Sequence, residues 1–341
     1  MTHFKVSYSE HFNDQDYVKT VISQWQTGSQ LFTLSTSGST GEPKTIQLNR
    51  NMLIWSAEKT YAALDLQNKQ GQLSVLCCLP VQKTGGFMQL IRALHFNWHI
   101  HFIPATANPN AELGDYPSSF DLFSFTPTQL QTIIASDEAL LSPQTAILIG
   151  GAAISSDFEE EIQNFALVSK TAFWETYGMT ETASHIALRK LGIDSYFKPQ
   201  PGVEISTTED QRLRIAIPEL DFSITTNDMA IVHTDGFEIL GRSDDVINSG
   251  GIKIHPSLIE PKIKALLHTE GIERHFYLGK KKDVKLGEKA VLVLEGTALK
   301  DISHLLEILK RELPIYHNPK DILFVEEIAY TDTGKIIRAM L

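Results

Sequence analysis

Residues Ser35–Thr45 read STSGSTGEPKT. Glycines at 38 and 41 let a backbone approach a ligand closely and adopt positive φ. The hydroxyls can donate to phosphate oxygens, and Lys44 supplies a point charge. The stretch looks built to hold phosphate, but not as a Walker A loop. That motif needs four residues between its glycines and a lysine directly after the second. Here two residues separate Gly38 from Gly41, Lys44 comes three after Gly41, and Pro43 has no N–H to offer. The alternative is a Ser/Gly surface loop. The flanks suit a loop between elements: LFTLST ahead reads as a strand. NRNMLIWSAEKTYAALDL behind it puts Leu53, Ala57, Tyr61 and Leu64 on one helical face.

With 341 residues, the chain can bury a large core and form two domains. Its 42% hydrophobic and 21% charged residues are ordinary for a soluble globular protein. A formal charge of −11 argues against a nucleic-acid surface while leaving room for an anion in a local pocket. No apolar run reaches the length of a membrane span, and MTHFKVSYSEHF lacks the apolar core of a secretory signal. Cys77 and Cys78 are adjacent in LSVLCCLP, so on a strand they point to opposite faces and make neither a disulfide nor a metal pair. A cytoplasmic location is expected.

LSVLCCLP, FDLFSFTP and TAILIGG read as buried strands. GFMQLIRALHF and TPTQLQTIIAS read as helices, the second started by Thr126 and Pro127. This alternation is an α/β pattern. From about residue 202 the texture changes to strands and turns, VEISTTEDQRLRIAI and FEILGRSDD. Beyond GRSDD, helices are expected near 257–268 and 301–313, with strands near 275–278 and 289–295. The expected domains are 1–242 and 243–341.

Four further motifs carry chemistry. WETYGMTETASH, Trp174–His185, offers the flat face of Tyr177, the hydroxyl of Thr180 and the carboxylate of Glu181. One or two carboxylates plus substrate phosphates are what Mg²⁺ prefers. Read alone, the same residues could cap a helix after a strand. Asp228 in TTNDMA is, by itself, a turn former. GRSDDVINSGGIKIHP could be a linker and a hairpin, and Lys335 in YTDTGKIIR a solvated terminal lysine.

Taken in order, these segments resemble the adenylate-forming superfamily of acyl- and aryl-CoA synthetases, luciferases and peptide-synthetase adenylation domains. The resemblance runs from about Leu31 to Leu341. TSGSTGEPK matches the family signature at every fixed place, and LGEKAVLVLEG and LKRELPIYHNPKDILFVEEI read like its small C-terminal domain. The resemblance implies a large α/β N-terminal domain, reduced at its start, plus a small mobile α+β C-terminal domain. It implies ATP, Mg²⁺ and coenzyme A, with a small carboxylic acid as substrate, and allows a homodimer.

It also implies roles for individual residues. Thr36, Ser37, Gly38, Ser39, Thr40, Gly41 and Lys44 would embrace the β- and γ-phosphates. Tyr177 would stack on adenine, with Gly151 and Ala152 lining the other side. Asp228 and Arg242 would bind the ribose hydroxyls. Glu181 would hold Mg²⁺, Thr180 would touch the α-phosphate, and Lys335 would reach the α-phosphate and the attacking carboxylate. Asp244 would be the hinge of the C-terminal domain, and Gly250, Gly251 and Lys253 would help form the pantetheine tunnel.

Some features depart from the family pattern. The phosphate loop lies unusually early, TND replaces Thr-Gly-Asp, and Lys83 in LPVQKTGGF replaces a pocket histidine. Within the family, YGMTETASHIA resembles the o-succinylbenzoate–CoA ligases of menaquinone biosynthesis. That substrate has a second carboxylate, for which Lys83 or His185 is the expected partner, with Gly86 leaving room for the ring. Another aryl- or acyl-CoA ligase, a carrier-protein-loading enzyme, and a non-catalytic nucleotide-binding protein are the alternatives. Intact Lys335, Glu181 and Thr180 argue against the last.

Overall fold

Short apolar runs, most of them followed by a helix, build the parallel part of one mixed sheet. In chain order the elements are β1 (Lys5–Tyr8), α1 (Gln15–Gln26), β2 (Leu31–Thr36), β3 (Lys44–Asn49), α2 (Arg50–Ala63), β4 (Ser74–Cys77), α3 (Thr84–Phe96) and β5 (His99–Phe102). Next come β6 (Leu122–Phe125), α4 (Pro127–Ala135), β7 (Ala146–Ile149), α5 (Ser156–Ser169), β8 (Ala172–Met179), β9 (Ser184–Lys190) and β10 (Lys198–Pro199). The structure is a computed structural model and describes residues 3–36, 44–113, 120–136, 145–330 and 336–338.

The eight-stranded sheet runs β1-β5-β4-β6-β7-β8-β9-β10. Its pairings are parallel from β1 through β8 and antiparallel from there to β10. Strands covered on both faces read as continuous apolar runs, and β6 and β7 are buried at every position. Phe123, Phe125, Ile147, Ile149 and Phe173 fill one core with Leu130, Phe158 and Ile162 from α4 and α5. Cys77 and Cys78 are both free and buried, and burial pushes the Cys77 thiol up to about 12.

The segment LFTLST is β2 as expected, but the chain does not pass directly into a helix. Lys44–Asn49 forms β3, antiparallel to β2 with Thr36 opposite Lys44, so the phosphate-like stretch joins the two arms of a hairpin. Asn49 then caps α2, its side chain accepting from the Met52 N–H at 2.7 Å. Leu53 and Ala57 on the expected face are fully buried.

The residues cluster into two compact units: 1–204 with 217–222, and 205–216 with 223–341. The second unit carries a four-stranded sheet of β11 (Glu204–Thr207), β12 (Arg212–Ile217), β13 (Phe222–His233) and β14 (Gly236–Arg242). After it come β15 (Ile247–Ser249), β16 (Ile252–Ile254), α6 (Pro256–Thr269), β17 (Phe276–Asp283), β18 (Gly287–Glu295), α7 (Ile302–Glu312) and β19 (Asp321–Val325). These strands form a five-stranded sheet whose apolar face packs with α6 and α7 around Ile259, Ile263, Leu292 and Leu309. The expected boundary after Arg242 therefore falls inside the second unit, between its two sheets.

Candidate functional site

In open α/β sheets, ligands bind beyond the carboxyl ends of the strands. Four such ends lie side by side here, on β4, β6, β7 and β8. Lys83 and Thr84 start α3 after β4; Thr126 starts α4 after β6; Gly150–Ala153 follow β7; and Tyr177–Glu181 close β8. Gln129 braces this edge. It completes a capping box with Thr126 and donates from Nε2 to the carbonyls of Cys78 and Thr106 at 2.9 Å each. Gly151 has φ +93, a left-handed conformation that suits glycine. The Tyr177 ring leans on Phe197, with centroids 5.8 Å apart. Thr84 and Thr180 share a hydroxyl–hydroxyl hydrogen bond of 2.6 Å, which ties the start of α3 to the turn after β8.

That turn is not a helix cap. Thr180–Thr182 make one 3₁₀ turn and the chain returns as β9, antiparallel to β8. A bulge sits between Tyr177 and Gly178, and Gly178 lies opposite His185. A side chain at 178 would run into the Ser184 carbonyl and the His185 backbone, so only glycine permits this approach. Buried Thr182 clamps the turn, its hydroxyl donating to the Ser184 carbonyl at 2.7 Å and accepting from the Met179 N–H at 3.1 Å.

Beneath the turn lies a feature that sequence reading missed. Arg92, in the middle of α3, is 2% exposed and makes no ion pair among the described residues. It donates from Nη2 to Ser184 Oγ at 3.0 Å, while its Nε has no partner. Burial lowers its pKa to about 10. One turn earlier, Gln89 is 0% exposed, and neither amide atom has a partner among the described residues. Burying a charge without a counter-charge is costly.

The second unit holds a separate charged cluster. Asp228 on β13 and Arg242 on β14 are register partners, their side chains 3.7 Å apart. The Arg242 guanidinium forks onto Asp244 with bonds of 2.9 and 2.6 Å. Those hydrogen bonds raise the Arg242 pKa. Burial pushes Asp244 the other way, but its bonds to Arg242 prevail and its carboxyl is lowered. Lys280 donates to the Asp244 carbonyl at 2.7 Å. Gly250 and Gly251, at φ +59 and +86, form the two-residue turn between β15 and β16.

A family model described as "AMP-binding enzyme" matches residues 7–217. The chain is 26% identical to a 2-succinylbenzoate–CoA ligase of Listeria monocytogenes serotype 4b, over 94% of this chain and 71% of that one. It is 27% identical to a feruloyl-CoA synthase of Amycolatopsis, over 89% and 67%. A crystal structure of an acyl-CoA synthetase (AMP-forming)/AMP-acid ligase II-like protein from Dyadobacter fermentans is 34% identical over 94% and 91%, with a TM-score of 0.61. The chain belongs to the AMP-binding enzyme family. It is an adenylate-forming acyl- or aryl-CoA ligase, an AMP-forming acid–thiol ligase by class, as the motifs implied.

For this adenylate-forming enzyme, the structure brings Lys83, Thr180, Glu181, Tyr177, Gly151 and Ala152 to neighbouring strand ends, and pairs Asp228 with Arg242. Ser37, Gly38, Ser39, Thr40, Gly41 and Lys335 lie outside the described residues. Two expectations need correction. Gly86 does not open space for a ring, since a Cβ there would meet the backbone of Leu79 and Pro80; the glycine lets α3 start against that backbone. His185 does not offer a cation to a substrate. It is 5% exposed, both ring nitrogens are bonded, and burial followed by the nearby Arg92 charge holds its pKa well below 6.5.

Proposed function

We propose that this ligase activates o-succinylbenzoate with ATP and transfers the acyl group to coenzyme A. The succinyl carboxylate oxygen attacks the α-phosphorus, the α–β phosphoanhydride bond breaks, and pyrophosphate leaves. The CoA thiol then loses its proton and attacks the acyl carbon, and AMP departs. Both steps develop charge on phosphate oxygens, so positioned cations and donors carry the catalysis.

The observation that carries the substrate is the acid-free Arg92 with the unpaired Gln89 amide beside it on α3. o-Succinylbenzoate keeps a second carboxylate that needs a buried cation. A guanidinium with an unpartnered N–H supplies one with directed donors. Similarity to a ligase named for that acid supports the same reading. The feruloyl-type alternative, also among the relatives, brings no second carboxylate and would leave Arg92 uncompensated.

The remaining roles follow from the family resemblance of the motifs. Tyr177 with Gly151 and Ala152 takes the adenine, Asp228 and Arg242 take the ribose, and Thr180 takes the α-phosphate. Lys44 and the hairpin stretch ahead of it take the outer phosphates, and Lys335 takes the attacking oxygen. Mg²⁺, when bound, neutralises phosphate charge. Half-buried Glu181 fits that duty, as Mg²⁺ needs few protein carboxylates, and no cluster of three metal-ligating side chains occurs among the described residues. Asp244 is the hinge of a 243–341 lid, and Gly250, Gly251 and Lys253 serve the pantetheine arm. Lys83, half-buried beside the Thr84–Thr180 contact, supplies a further positive charge near the acid.

Pyrophosphate release across a panel of acids, with and without CoA, tests the assignment. o-Succinylbenzoate should give the largest acid-dependent signal, with thioester formed only when CoA is present. Turnover of medium-chain fatty acids or ferulate, with none of o-succinylbenzoate, would refute the substrate.

A further inference from the structure

The Arg92 guanidinium is held by a hydrogen-bond chain whose direction can be worked out donor by donor. Thr60 donates its hydroxyl proton to the Ser56 carbonyl at 2.9 Å, so toward His185 Nε2, 3.0 Å away, it can only accept. Nε2 therefore carries the ring proton, and Nδ1 of the neutral imidazole is an acceptor. Ser184 Oγ lies 3.3 Å from Nδ1 and donates to it. The Ser184 lone pairs then receive the Arg92 Nη2–H at 3.0 Å. The chain runs Arg92 → Ser184 → His185 → Thr60 → Ser56, and every link has one possible sense.

The backbone here is built around that chain. Ser184 has φ +139 and follows Ala183 at φ +55; both are non-glycine residues in left-handed space. Such strain persists only where the surroundings over-determine it, and it concentrates at functional sites. The surroundings do so here: Thr182 holds the Ser184 carbonyl, and Gly178 admits the Ser184–His185 backbone. We infer that Ser184 and His185 are positioning residues that aim the Arg92 guanidinium as a preorganised receptor for a carboxylate on the acid substrate, with Gln89 as a second donor. This rests on the substrate reading above and extends it. Among the described residues nothing neutralises Arg92, and its Nε and both Gln89 amide atoms lack a partner, while Nη2 is fixed by the relay. A fixed guanidinium loses less entropy when it binds its partner.

The test compares o-succinylbenzoate with 4-oxo-4-phenylbutanoate, which lacks the ring carboxylate, in the wild type and in Ser184→Ala and His185→Asn. Loss of a charge-assisted orientation should raise KM for o-succinylbenzoate about tenfold. KM for the neutral-ring acid and for ATP, and kcat on that acid, should change less than about twofold. Equal effects on both acids, or none, would overturn the positioning role. A wild type that does not distinguish the two acids would instead overturn the substrate reading. A second measurement stands apart from turnover: ring ¹⁵N shifts of His185 should report a neutral Nε2–H tautomer, perturbed at Nδ1 in Ser184→Ala. A protonated ring or the Nδ1–H tautomer would refute the relay, whatever the substrate.

Discussion

Two arginines in the first unit, Arg92 buried and Arg189 partly buried, stand in opposite company. Arg189 on β9 forks onto Glu159 with bonds of 3.0 and 2.7 Å and donates from Nε to Glu175 at 2.9 Å. Burial pulls its pKa down, yet the two carboxylates carry it above the ordinary value. Glu175 also receives the Ile154 N–H at 3.5 Å, so this cluster fastens the loop after β7 to β8 and β9. Among the described residues, Arg92 has one serine and no acid. A charge that serves the fold is neutralised by the fold. A charge left unpaired at greater depth costs stability, and the site that holds it gains a receptor.

The largest effect expected on stability is Arg189→Met. Removing it leaves Glu159 and Glu175 facing each other without a cation, which should cost about 3–5 kcal/mol in urea unfolding. Arg92→Met should fall within about 1 kcal/mol of wild type, or above it, because it removes a charge with no counter-charge. Similar losses in both variants would break the contrast. Gly178→Ala probes the frame that holds Ser184. Forcing β8 and β9 apart should cost about 1–3 kcal/mol, with a rise in KM for o-succinylbenzoate. Normal stability and KM there would show that the close approach is not needed.

The smallest effect expected is on the acid limb of stability. His101 is lowered to about 4, by burial first and His99 second; His185 is also lowered, by burial first and Arg92 second. Both folded values lie below the unfolded one. Their contribution is complete above about pH 6.5, where the unfolded histidines are neutral too. As pH falls, the unfolded chain takes up protons that the folded chain refuses, and stability declines toward pH 4. Arg92→Met removes one cause at His185, so the decline should become shallower in urea unfolding measured at several pH values. An unchanged slope would mean that burial alone keeps the ring neutral.

Much of the fold could be read from local pattern. LFSF and AILI announced buried strands, and Thr126 with Pro127 announced a helix start, at which the structure adds a capping box with Gln129. β3 was missed because KTIQLN, although Ile46 and Leu48 alternate with polar neighbours, is short, follows a turn-rich stretch and runs straight into the helical pattern of α2. The site motifs could be read because each combines a rare residue set with a fixed order. Arg92 could not. Periodicity assumes a helix with one wet face, and an arginine in GFMQLIRALHF is naturally put there. α3 has no such face in its middle: Gly86 through Leu94 are all buried, with α1, α2, β4, β5 and β9 packed around the helix. The same tertiary covering turned His185 from a presumed substrate contact into a neutral link. A pattern along one segment cannot report what other segments place over it.

The most direct measurement is the ratio of kcat/KM for o-succinylbenzoate to that for 4-oxo-4-phenylbutanoate, taken in the wild type and in Arg92→Met. A buried charge-assisted contact is worth about 1.5–3 kcal/mol, so the wild-type ratio should be on the order of 10 to 100. In Arg92→Met it should fall to about one, with kcat/KM for the neutral-ring acid preserved. A ratio that survives the loss of Arg92, or a wild type that favours neither acid, would contradict the assignment of this arginine to the substrate.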